Sequence, residues 1–322
     1  MNLRHLLSWK GLFYGALLPA LRQLGPARGD ALLGLCGRFA TLWPPRGRAV
    51  ARGLSRARTA LDIIGDDSTL RPRLAANAWR FLARDCGLQG LDDDALFGLF
   101  DVQGVEALES ALAEGHGALL VGSHLGAHLA GLHWLYRRGL PLRLLVQRPK
   151  HISAELNRRF DEEGPHPQAG FFLRRDLPPG QCVERLLRAR AALRAGLPVY
   201  LNGDIPWGGP NTRAGRFLGQ NRRFLSVWTD LSVLTRTPVF LVFCTHQPGG
   251  RYDLTIEPLG TLPAGGENVA VACYLKRLEA AITARPDDAP AHLLWPCYGP
   301  PATAATAAAP RPSRRVAAAP LT

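Results

Sequence analysis

At 322 residues, 47% of them hydrophobic, the chain has enough apolar side chains to bury a full core, which excludes an intrinsically disordered protein. Its formal net charge of +13 favours anionic partners, but no basic run is interleaved with aromatics and no nucleic-acid-binding module is recognisable, so nucleic acid is not expected as a partner. Arginine supplies nearly all of the excess, with Lys10, Lys150 and Lys276 the only lysines, and an anionic membrane surface or an acidic carrier protein is the better match.

In chain order, residues 1–112 read as helices: ARGLSRARTALDII and LAANAWRFLARDCGL place apolar residues at helical intervals between arginines, with few strand-like runs. Near the start, HLLSWKGLFYGALLPALRQLG has too short an uncharged run between Lys10 and Arg22 to span a bilayer, and Pro19 and Arg22 spoil the pattern of a signal peptide. Two readings of it stay open. One is an interfacial helix with Trp9, Phe13, Tyr14 and Leu17 on lipid and Arg4, Lys10 and Arg22 among headgroups; the other is a helix packed on the protein's own core.

From about residue 115 the pattern changes. ALLVGS, LRLLVQR, PVYLNGD, PVFLVFC and YDLTIEP predict strands, and 153–163, CVERLLRARAALRAG, SVWTDLSVLT and 268–284 predict helices. The alternation predicts an α/β fold with a mostly parallel central sheet flanked by helices, preceded by a helical N-terminal region. The expected organisation is a membrane-contacting helical region over 1–112 packed on the core, an α/β core over 113–300, and a disordered Ala/Pro-rich tail over 301–322. The six cysteines are far apart with no CxxC pair, which points to free thiols in a reducing, cytosolic setting.

The segment GALLVGSHLGAHLAGLHWLYRRG, residues 117–139, puts His124 where a strand hands over to a helix. In open α/β sheets that is where ligands bind. GSHLG is not a nucleophile elbow, because Ser123 directly follows Gly122 and residue 121 is Val, so covalent chemistry at Ser123 is not expected. His124 and His128 have the i, i+4 spacing of zinc-binding HExxH, but the glutamate is missing and no third ligand is evident; neither a metal nor a cofactor is expected. The glycine-rich stretch from Gly203 and Asp204 through Gly208, Gly209 and Gly215 lacks the GK[ST] of a phosphate loop and reads as turn-forming. His116, His133, His151, His166, His246 and His292 have no recognisable partner in the sequence.

Several segments together carry a family resemblance: His124 through Arg148-Pro149, VYLNGD at 199–204, AGRFLGQNRRF at 214–224, TPVFLVF at 237–243, RYDLTIEPL at 251–259 and the closing HLLWPCYGP. In order and spacing the chain resembles the bacterial lipid A late acyltransferases, lauroyl/myristoyl transferases of the lysophospholipid acyltransferase superfamily. The resemblance implies transfer of a fatty acyl chain from an acyl carrier protein or coenzyme A thioester to a hydroxyl of a membrane lipid or glycolipid; the absence from this chain of an acid usual in the family adds an amine of a lipid as a second acceptor. It implies a peripheral or interfacially anchored place at the cytoplasmic face of the bacterial inner membrane. His124 then matches the general base, and the backbone N–H groups after it are expected to hold oxyanion charge. Arg148, Arg158 and His128 are expected beside the substrates, while Gly203, Gly215, Phe217 and Gly219 are expected to wall the acyl pocket.

The family places an aspartate or glutamate five positions after the histidine, to orient and stabilise the imidazole. Leu129 stands there, and no Asp or Glu occurs between Glu114 and Glu155. Either a carboxylate from elsewhere, Asp204 being the best candidate, orients His124, or the chain is a catalytically impaired homologue that acts as a lipid-binding or scaffold protein.

Overall fold

The computed structural model describes residues 12–161, 167–173, 178–207 and 211–294. The expected tail at 301–322, the WPCYGP end of the last motif, Arg4, Trp9, Lys10, His166, Gly208 and Gly209 lie outside them.

A short π-helical turn at Phe13–Leu17 leads into α1 (Leu18–Leu42), bent at Gly25, where φ is +73° and Pro26 follows. Helices α2 (Pro44–Ala60) and α3 (Asp67–Ala83) follow, the latter capped by the Asp66 carboxylate, which accepts from Ser68 N at 3.1 Å. A short α4 (Asp93–Phe97) then precedes β1 (Phe100–Gln103) and α5 (Val105–Ala113). The region read as helices with few strand-like runs therefore contributes a strand. Its exposed Asp101 and Gln103 alternate with more buried Phe100 and Val102, and four residues are too few for a periodic signal.

The core continues with β2 (Ala118–Gly122), α6 (His128–Arg137), β3 (Arg143–Leu144), α7 (Ala154–Asp161), α8 (Pro179–Arg194), β4 (Pro198–Asn202), an antiparallel hairpin of β5 (Thr212–Phe217) and β6 (Gln220–Leu225), and α9 (Val227–Thr235). It closes with β7 (Val239–Gln247), β8 (Arg251–Gly260), α10 (Glu267–Ala284) and α11 (Pro290–Leu294). The main sheet has the order β1-β8-β7-β2-β4-β3. Strands β7, β2, β4 and β3 are mutually parallel, as the alternation predicts. By contrast, β8 returns antiparallel to β7 through Pro248-Gly249-Gly250, where both glycines have positive φ and no helix intervenes. The run LRLLVQR forms only the two-residue β3, and the stretch read as a turn-forming loop holds the β5–β6 hairpin.

Both faces of the sheet are buried. Leu119, Val121, Val199, Leu201 and Leu241 point into one cluster, while Ala118, Leu120, Tyr200, Phe240 and Val242 point into the other, as the two-residue period of a strand requires. Of the N-terminal helices, α2 and α3 belong to the first cluster through Val50, Leu54 and Leu74, while Leu18, Leu21 and Leu33 of α1 pack with Phe13, Ala83 and Cys86 in a third. Asn77 Nδ2 donates to Asp287 O at 2.8 Å and Arg56 Nη2 to Leu293 O at 2.7 Å, which ties α3 and α2 to the end of the chain. Phe13 is 1% exposed against Trp79, and Tyr14 stacks on His151 at 3.8 Å. Of the two readings of this segment, the packed one holds for Phe13.

Helices α1 and α3 cross at Gly37, where an added Cβ would lie 2.5 Å from Ala76 Cα and N. Gly37→Val is expected to force the helices apart at a cost of about 1–3 kcal/mol, read as a lowered Tm in thermal denaturation.

Candidate active site

The register of the parallel sheet builds the site. Gly122 on β2 lies opposite Asn202 on β4, and Gly203 N donates to Gly122 O at 3.0 Å. Two residues further along each chain, His124 and Asp204 therefore meet beyond the carboxyl ends of neighbouring strands, though 80 residues apart in sequence. Asp204 Oδ2 accepts the His124 backbone N–H at 2.7 Å, and Asp204 Oδ1 pairs with His124 Nδ1 at 2.9 Å. The second contact leaves Nε2 as the nitrogen facing outward. His292, from α11, adds Nε2 to Asp204 Oδ2 at 2.9 Å. The carboxylate is fully buried, whereas 31% of the His124 side chain is exposed, so the dyad has one sealed end and one open end.

The carboxylate at His124 Nδ1 thus comes from the chain after β4 and not from position 129. Leu129 itself is buried in the second apolar cluster on α6.

Electrostatics follow from this arrangement. Burial opposes charge on the imidazole of His124, but the charge and hydrogen bond of Asp204 outweigh it and raise its pKa above the ordinary 6.5. Burial works against the Asp204 carboxylate as well, yet His124 and His292 hold its pKa far below the usual carboxylate range. For His128, whose ring centroid lies 5.4 Å from that of His124, burial, the His124 charge and the Arg84 charge act together and push its pKa well below 6.5. His128 is therefore neutral at physiological pH and is not a second cation in the site.

The loop after His124 is clamped. Leu125 N donates to Ser123 Oγ at 3.2 Å, Gly126 N to Asp288 O at 2.9 Å and Ala127 N to Cys244 O at 2.8 Å. Gly126, at φ +50°, sits where an added Cβ would meet Asp288 Oδ2 at 2.5 Å and Cys244 O at 2.6 Å. These N–H groups, expected to face an oxyanion, are all spent inside the protein. A donor does stand at the open end of the dyad: Asn202 Nδ2 is 3.4 Å from His124 Nε2, with its Oδ1 held by the Tyr200 hydroxyl at 3.1 Å.

The structure brings together His124, His128 and Asp204 of the residues singled out in the sequence, with Gly203 packed beneath on Val121 and Tyr274. Arg148 is turned to the surface, where its guanidinium pairs with Asp161 at 2.7 Å and with Asn157 at 2.9 Å; Arg158 is exposed on α7. Gly215 and Gly219 shape the β5–β6 hairpin, Gly215 against Leu275 and Gly219 at its turn with φ +74°. Phe217 is 1% exposed and edges onto His292, so it braces the histidine behind Asp204 and does not wall an open channel. Asn202 and His292 escaped the sequence reading. Asn202 had a signal, as the residue before Gly203-Asp204, but His292 had none, since its role depends on a contact across 88 residues. Among the described residues no group of three His, Cys, Asp or Glu side chains is placed to hold a metal ion.

A model of the bacterial lipid A biosynthesis acyltransferase family matches residues 1–289. The chain belongs to that family. No curated protein matches it. As an acyltransferase of lipid A biosynthesis type it requires an acyl donor and a lipid acceptor. Among the described residues no helix is long and apolar enough to cross a membrane.

In Asp204→Asn the raising influence on His124 is removed while its burial stays. The imidazole is expected to titrate at a lower pH than in the wild type, measured from its Cε1 proton by NMR. Leu129→Glu, which restores the family's acidic residue type, is expected to destabilise the fold by placing a carboxylate in an apolar cluster, read as a lowered Tm.

Proposed function

We propose that the protein transfers a fatty acyl chain from an acyl carrier protein or coenzyme A thioester to a hydroxyl, or an amine, of a membrane lipid or glycolipid, with His124 as the general base. The observation that carries this reading is the dyad of a partly exposed His124 on a sealed Asp204 carboxylate. In the proposed reaction neutral His124 takes the acceptor proton at Nε2, and the freed oxygen or nitrogen attacks the thioester carbonyl. The tetrahedral oxyanion then collapses, and the thiol leaves with the proton returned from the imidazolium. Asp204 holds the imidazole by Nδ1 and balances its transient charge. In place of the spent backbone groups, the Asn202 amide donates to the oxyanion. The Asp204 carboxylate at Nδ1 of His124 supports this reading over that of a catalytically impaired homologue.

We place the membrane contact at the far end of α1. Leu35, Phe39, Leu42 and Trp43 are all exposed there, Leu42 by 74% and Trp43 by 67%, at spacings that put them along one side of the helix and over its end. Exposed Arg38, Arg48 and Arg52 stand close by in the chain, so apolar insertion and attraction to anionic headgroups combine. This moves the expected interfacial contact from Phe13 and Tyr14 to the α1–α2 tip. A peripheral position at the cytoplasmic face of the inner membrane is consistent with it.

Acyl transfer by the purified protein from acyl carrier protein or coenzyme A thioesters to a bacterial lipid extract, followed by mass spectrometry, tests the reaction. His124→Ala is expected to abolish the product, and Asp204→Asn to lower kcat by about a thousandfold or more, by analogy with loss of an orienting acid in a serine protease triad. No product from the wild type with any donor would refute it. Since the base must be neutral and its pKa is raised, kcat/KM is expected to increase with pH through a step above 6.5. A double variant, Phe39→Asp with Trp43→Asp, is expected to weaken flotation with anionic phospholipid vesicles by about a hundredfold, as two buried apolar side chains are lost.

A further inference from the structure

Arg84 has no place in the reaction above, yet it is built into the same region. It ends α3 with φ +58° and ψ −128°, a conformation that suits glycine and strains a residue carrying a Cβ. His151, at φ +57°, is strained as well, and the two meet at Tyr14, which stacks on the His151 ring and contacts the Arg84 guanidinium. Arg84 is half-buried, and its Nε has no hydrogen-bond partner among the described residues.

The nearby carboxylates are committed elsewhere. Asp85, its chain neighbour, turns inward to His133 Nδ1 at 2.9 Å, Ser153 Oγ at 2.6 Å and Ser153 N at 3.0 Å. Arg84 lines a cavity of about 40 Å³ together with Asp30, Arg80, His246 and Tyr252. Within it, Asp30 pairs with Arg80 at 2.6 Å and accepts from Gly249 N at 3.1 Å, while His246 is bound to Asp288 at 2.8 Å. Arg84 thus makes no ion pair among the described residues; Asp85 acts on it only as a nearby charge, and a cation partly withdrawn from water is costly to leave without a close partner. Its charge also opposes protonation of His128 and His151 and, to a lesser degree than Asp204 favours it, of His124.

We propose that Arg84 receives a phosphate group of one of the two substrates in this cavity. The cavity has room for a group of a few water-sized atoms, which suits a phosphate and not a sugar ring. A guanidinium with unspent N–H donors matches a phosphate fork. Filling the site supplies the missing counter-charge. The phosphate is that of the donor, on the pantetheine arm of a carrier protein or coenzyme A, or that of the lipid acceptor. This inference rests on the acyl-transfer reading for the identity of the ligand, but not for the existence of the site.

The test uses full-length protein and two variants. Arg84→Gln is expected to lower the affinity for inorganic phosphate, followed by histidine NMR shifts, by about tenfold or more. Arg84→Gly, which relieves the strained φ and removes the unpaired charge, is expected to keep or raise Tm. His124→Ala is expected to bind phosphate like the wild type while losing transfer, so a failure of the catalytic reading does not erase the binding result. In the transfer assay a raised donor KM in Arg84→Gln assigns the phosphate to the donor, and a raised acceptor KM assigns it to the lipid. Unchanged phosphate affinity in Arg84→Gln, or a Tm lowered by several degrees in Arg84→Gly, would overturn the proposal.

Discussion

The Asp204 carboxylate is the constraint on which the site depends. It is fully buried and accepts three contacts, from His124 N, His124 Nδ1 and His292 Nε2. A charge so withdrawn from water survives only if its oxygens are satisfied, and those contacts fix the two histidines around it. The same demand reaches outward. His292 is braced by Phe217 from the β5–β6 hairpin, and the backbone near Asp288, just before His292, closes on Gly126 and on Asn77 of α3. The N-terminal helices, the last helix and the sheet are thereby held to one another around a single anion.

A His–Asp pair is not in itself a catalyst in this chain. His246 and Asp288 repeat the geometry of His124 and Asp204 at the end of β7, with the carboxylate accepting both the backbone N–H at 2.6 Å and Nδ1 at 2.8 Å. His133 and Asp85 form a third pair behind α6. Exposure separates them, because the His246 and His133 side chains are 9% and 1% exposed whereas that of His124 is 31% exposed. A base must reach a substrate proton, so only the open pair meets the geometric condition for proton transfer. The sealed pairs join distant elements, His246 tying the end of β7 to Asp288 and His133 tying α6 to Asp85.

Replacement of the motif acid by Leu129 illustrates how chemistry and position separate. In the proposed mechanism the imidazole needs a carboxylate at Nδ1, and the parallel register of β2 and β4 brings Asp204 there from beyond the neighbouring strand. Once that need is met, position 129 is free to serve packing. It does so as part of the apolar layer between α6 and the sheet.

The α/β class, the strands at 118, 198, 239 and 251, the helices between them and the placement of His124 at a strand end were legible in the sequence, because hydrophobic period and turn residues are local properties. Asp204 was legible as a candidate through NGD. The two-residue β3, the strand at 100–103 and the antiparallel return of β8 were not, since short strands carry too few residues for a pattern and their pairing is set by partners far along the chain. Tertiary structure alone decided that Asp204 reaches His124 and that His292 joins them. It also decided that the N–H groups after His124 are spent and that Phe13 is interior while Leu42 and Trp43 are not. Each of these depends on which groups share a location after the chain has closed over long separations, as from Gly126 to Asp288, and no local pattern encodes such a distance.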